Sequence, residues 1–134
     1  MNNLENICSK LVNSIDGIIS TSLVNLEDGS ILASCFKENH DVQKMNNNIS
    51  SATMEILKSE SAKNVDSYIS EKTDYKSKGY FKEVFISSKN NFYFLKAVDD
   101  LEIAIFIISK KTSNQGLIWS EIKIAIPKVK DLFN

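Results

Sequence analysis

A chain of 134 residues, 43% hydrophobic and 25% charged, has the make-up of one ordinary globular domain, long enough to bury a core without metal or disulfide staples. Its net charge is −1 and all 16 basic residues are lysine, with no arginine anywhere. Lacking both a basic surplus and the guanidinium fork that grips phosphate and guanine, the chain is excluded as a typical nucleic-acid binder.

The first predicted element is a helix over residues 3–15. Leu4, Ile7, Cys8, Leu11, Val12 and Ile15 recur at spacings of three and four, which puts them on one stripe. Asn2 and Glu5 form a capping-box pair at its start, and Asp16-Gly17 ends it. The next stretch, "GIISTSLVNLEDGSILASCF", reads as a hairpin: a strand over 18–25, a turn, and a second strand over 31–36. Asp28-Gly29 supplies the positive φ that a tight turn needs.

Asn39-His40-Asp41 reads as the entry to a second helix, with Asp41 as its N-cap. Its apolar residues Val42, Met45, Ile49, Ala52 and Ile56 form a narrow ridge flanked by asparagine, serine and threonine. A ridge of that width suits close approach to another helix; the alternative is a surface helix with a single buried ridge. Residues 59–79 are polar and read as a connection, in which Val65, Tyr68, Ile69 and Lys72 could prolong the helix.

Three strands follow, over 80–88, 92–98 and 101–109, joined at Lys89-Asn90-Asn91 and Asp99-Asp100. The last is nearly continuous in its apolar character, as a strand covered on both faces would be. A terminal helix begins at Ser113-Asn114 with Ile118, Ile122, Ala125, Ile126, Val129 and Phe133 on its stripe. Pro127 argues for a kink near 123–127, or else for a strand to Ile126 followed by a short helix. The whole predicts an α+β fold of order α-β-β-α-β-β-β-α. It has three layers (α/β/α), with a five-stranded antiparallel sheet, the first and last helices on one face and the middle helix on the other.

The chemistry-bearing residues form no catalytic set. His40 is the sole histidine, the four glycines are isolated, and Asp99-Asp100 is explained by its turn. Cys8 and Cys35 have no metal-ligand spacing and read as reduced thiols among apolar neighbours. Trp119 reads as a packing residue. Expectation is therefore of no enzyme, no cofactor and no metal. The N-terminus has no signal-peptide pattern and no apolar run reaches the ~20 residues of a membrane span, so the expected location is the cytosol.

Three stretches together resemble the roadblock/dynein-light-chain family, whose fold is profilin-like. They are "LVNSIDGIISTSLVNLEDGSILAS" (11–34), the polar-flanked helix after it, and "AVDDLEIAIFIISKKTSNQGLIWSEIKIAIPKVKDLF" (97–133). The likeness spans essentially the whole chain apart from the long 59–79 connection, and Pro127 departs from the usual terminal helix. The resemblance implies a non-catalytic homodimer of the bacterial Mgl type. Its second helices would pair antiparallel and its sheets would join edge to edge through the third strand. Carried over, the seam is Val42, Met45, Ile49, Thr53 and Ile56, and the sheet edge is 82–88 with Val84 and Ile86. It also implies a small Ras-like GTPase as partner, which the chain could not supply with an arginine finger. Two other classes compete: a ligand-sensing profilin-like domain, and a structural subunit of a motor or secretion assembly.

Overall fold

The computed structural model describes residues 2–38, 40–73 and 81–133. Its elements are α1 (Asn3–Ser14), β1 (Ile18–Asn25), β2 (Ile31–Phe36), α2 (Val42–Leu57), α3 (Glu60–Thr73), β3 (Glu83–Ser87), β4 (Asn91–Val98), β5 (Ile103–Lys110) and α4 (Gln115–Asp131). The five strands form one antiparallel sheet in the order β2-β1-β5-β4-β3. The expected fold class and order are present, and the connection between α2 and β3 carries a helix of its own, α3. The polar composition of 59–73 concealed that helix, because among its described side chains Ala62 alone is buried. The remainder of that connection, and Tyr80 of the expected third strand, lie outside the described residues, as does Asn39.

Local chemistry sets most boundaries. The Asn2 side chain accepts the Glu5 N–H at 2.7 Å, Asp41 accepts that of Lys44 at 3.1 Å, and Asn114 that of Leu117 at 3.0 Å. Each cap satisfies a donor the first helical turn would otherwise leave orphaned. At the other end of α1 the Lys37 ammonium donates to the Ile15 and Asp16 carbonyls, at 3.1 and 2.6 Å. That contact ties the end of β2 to the helix that packs on it. Asp100 takes a left-handed φ of 68° in the β4–β5 turn, and β5 begins two residues later than the sequence suggests.

Pro127 neither breaks α4 nor turns its first half into a strand. The stripe Ile118, Ile122, Ala125 and Val129 is buried, and that burial holds the segment helical. Pro127 and Lys123, whose carbonyl the proline leaves without a donor, are both exposed, so water can serve that carbonyl.

The two faces of the sheet have separate cores. α1 and α4 cover one, where Ile7, Leu11, Val12, Leu23, Phe94, Ile105, Ile107, Ile118 and Val129 pack together. Trp119 belongs to this layer, edge-on to Phe94 with centroids 5.2 Å apart. α2 covers the other, where Ile49 and Leu57 meet Val24, Leu95, Ala104 and Phe106. β5 serves both cores, and every residue from Ile103 to Ser109 is buried.

The Asp28-Gly29 turn has a second task. Gly29 has φ +79°, and its carbonyl accepts the Ser50 hydroxyl of α2. A Cβ there would lie 3.0 Å from the Ser50 oxygen and 3.2 Å from Met54 Cγ. Glycine is thus required by the turn and by the helix resting on it. The Ser30 N–H donates to the Asp28 carboxylate at 2.9 Å, and this bond with the Ser30 hydroxyl holds the carboxyl below its ordinary pKa.

Candidate interaction surface

α2 is placed by three kinds of contact, and they decide which of its residues can meet anything else. Its underside is Ile49, Thr53 and Leu57, exposed by only 3%, 0% and 0%. One flank, Ser50 and Met54, leans on the β1–β2 turn at Gly29. The opposite flank carries Met45, Ala52 and Ile56, all half-buried. Since the first flank points toward β2, the opposite one points across β5 toward β4 and β3.

This corrects the expected seam. Ile49 and Thr53 are not available to a second helix, because the chain's own sheet takes them; Thr53 even returns its hydroxyl to the Ile49 carbonyl at 2.7 Å. Val42 is 50% exposed at the start of α2. Met45 and Ile56 are half-buried on the flank away from Gly29. Spacings of 3, 4, 3 and 4 define a ridge but do not say which side of it a sheet will claim.

Among the described residues β3 is the terminal strand of the sheet, hydrogen-bonded to β4. Its residues alternate between the two faces. Phe85 turns to the α4 side, with ring centroids 5.1 and 5.3 Å from those of Phe92 and Phe94. Val84 and Ile86 turn to the α2 side and are half-buried. Tyr93 lies across from Ile86 on the same side, edge-on to Phe106 at 6.3 Å. Sequence reasoning missed Tyr93; the period-two alternation of β4, read against the register with β3, would have found it.

The result is a strip of Met45, Ala52, Ile56, Val84, Ile86 and Tyr93 beside a strand edge that is unpaired among the described residues. α2 lies chiefly over β1, β2 and β5, so it does not roof β3. Such a strip and such an edge are the features a soluble monomer normally avoids.

The rest of the described surface offers less. Among the described residues no three His, Cys, Asp or Glu side chains could hold a metal, and no helix is long and apolar enough to cross a membrane. A cleft of about 160 Å³ lies where α2 ends, near the β4–β5 turn. Its opposite charges, Lys58 and Glu102, pair with each other at 3.1 Å. His40 is exposed, edge-on to Phe36. Cys8 is buried and Cys35 half-buried.

No protein-family model matches the sequence, and no curated protein matches it. Solved structures do. The chain is similar to the roadblock/LC7 domain from Streptomyces avermitilis, at 10% identity and a TM-score of 0.72 over 98% of each chain. It is similar to Myxococcus xanthus MglB, at 13% identity and a TM-score of 0.70, covering 99% of this chain and 96% of that one. MglC from the same organism follows at 12% identity and 0.61, covering 97% and 98%. At these identities the likeness is one of architecture, and it runs from end to end. The fold of this chain is that of the roadblock/LC7 domain.

Proposed function

We propose that this chain is a non-catalytic homodimeric interaction module that scaffolds or regulates a small Ras-like GTPase. The observation that carries the pairing is the strip between α2 and the outer edge of β3, which no described residue pairs. A two-fold axis beside β3 would join two edges into one continuous sheet. It would also bring a second α2 over Val84, Ile86 and Tyr93, closing both exposures at once through the same patch on each copy. Residues at the contact are then Met45, Ala52, Ile56, Val84, Ile86 and Tyr93, with Val42 at the rim.

The GTPase part of the reading rests on the fold and on the family resemblance. With no arginine to donate, this chain would act on hydrolysis by holding the GTPase's switch loops in a competent arrangement.

Ile86→Glu tests the pairing. Ile86 is half-buried on an edge strand, so the fold should tolerate the change, to be checked by circular dichroism. Light scattering should give a dimer for the wild type and a monomer for the variant. A wild-type monomer, or a variant that stays dimeric, sinks the proposed contact. For the partner, the chain is added to a Ras-like GTPase from its own cell; no complex and no change in hydrolysis rate would remove that role.

A further inference from the structure

The bed on which α2 sits contains buried hydroxyls, and the opposite face of the sheet has one too, at Thr21, also without a hydrogen-bond partner among the described residues. Ser20 and Ser22 of β1 are wholly buried, and neither hydroxyl has a hydrogen-bond partner among the described residues. Register settles which way they face. Ser22 lies opposite Phe106 and Ser20 opposite Ile108, and both of those belong to the core under α2. Thr53, on the underside of α2, adds a third buried hydroxyl to the same layer.

We propose that α2 opens from the sheet as a unit while α1 and α4 stay packed, so that the surface beside β3 is built on a movable helix. A buried hydroxyl without a partner regains its hydrogen bonds when water reaches it, so each such group lowers the cost of lifting the element above it. Besides the buried Ile49 and Leu57, α2 is held by the Ser50 hydroxyl on the Gly29 carbonyl, by Met54 beside it and by the half-exposed Lys58–Glu102 pair. On its N-terminal side Lys37, Glu38, His40 and Asp41 are largely exposed, and among the described side chains of α3 Ala62 alone is buried. Few buried contacts at the flanks of an element favour local rather than global opening. A partner docking on the α2 flank meets a helix that it must also seat. This inference rests on the single chain and does not depend on the proposed pairing of two copies.

Hydrogen exchange on the full chain, read by peptide, tests it. Amides of α2 should exchange through an opening at least tenfold more frequent than that exposing α1 or α4. Ser20→Ala and Ser22→Ala remove an unpaired hydroxyl without adding volume. Each should slow exchange in α2 by about tenfold and leave α1 and α4 unchanged. Thr21→Val is the control: its hydroxyl is also buried without a described partner, but it lies opposite Ile107 on the other face, so removing it should leave α2 unaffected and act on α1 and α4 instead. Running the set in the Ile86→Glu background as well separates opening of the helix from cover by a second copy. Equal protection of the three helices would overturn the proposal. So would serine variants that slow all three alike, or that change none.

Discussion

The two faces of this sheet are built to different standards. Under α1 and α4 the layer is mostly hydrocarbon, with Ile7, Val12, Phe94, Ile105, Ile118 and Ile122 filling it from both sides and the Thr21 hydroxyl buried among them. Under α2 the same sheet presents serines on β1, a single helix covers it, and the β3–β4 end is left half-open. The first face behaves as the chain's foundation. The second is where the proposed contact with another copy would be made without taking the foundation apart. The lesson is that one strand can serve both: β1 sends Leu23 to the firm side and Ser22 to the loose one.

Truncating one residue on each face would break or confirm that contrast most directly. Phe94→Ala removes a ring in contact with Phe85, Phe92 and Trp119 and should cost ~3–5 kcal/mol of unfolding free energy in urea. Ile49→Ala, beneath α2, should cost only about 2 kcal/mol, the low end of its range, because a loosely seated helix can settle into the space. Equal losses at the two sites would erase the distinction between the faces.

A smaller effect is expected at the latch. Gly29→Ala forces a side chain into the left-handed region and against Ser50 and Met54. It should lower stability by about 1–2 kcal/mol in thermal unfolding, and the added loss of protection should fall on α2 rather than α1. An unchanged melting temperature would mean that the turn relaxes and that α2 does not lean on it.

The third expectation has no effect near neutral pH. Burial pushes the Cys8 thiol from its ordinary 9.0 to about 12, with the nearby Cys35 adding to the rise. The unfolded chain therefore releases this proton first as pH climbs. Stability from the neutral thiol is fully present below about pH 9 and is lost as pH rises toward about 12. Lysines and tyrosines titrate in the same window, so the readout is a difference: Cys8→Ala should show a shallower decline than wild type between pH 9 and 11. Parallel curves would mean that Cys8 is open to water and that the α1 face is less tightly packed than it looks.

Much of the fold could be read from the chain because the signals are local. Helix stripes, the Asn2, Asp41 and Asn114 caps and the Asp28-Gly29 turn each involve residues within a few positions of one another, so short-range geometry fixes them. The separate helix inside 59–73 escaped because Ala62 alone is buried among its described side chains, and a periodic apolar pattern is the main sign a helix leaves in sequence. Pro127 misled for the converse reason: a local rule argued against a helix that distant packing then held in place.

What the sequence determined by itself is the order of elements, the absence of arginine and the narrow ridge on α2. Tertiary structure alone decided which side of that ridge faces the sheet, that Gly29 serves the helix as well as the turn, and that Tyr93 joins Val84 and Ile86 on an open strip. The reason is physical. A helical stripe records how residues are spaced around one axis, while the rotation of that axis against a sheet is settled by contacts between segments far apart in the chain.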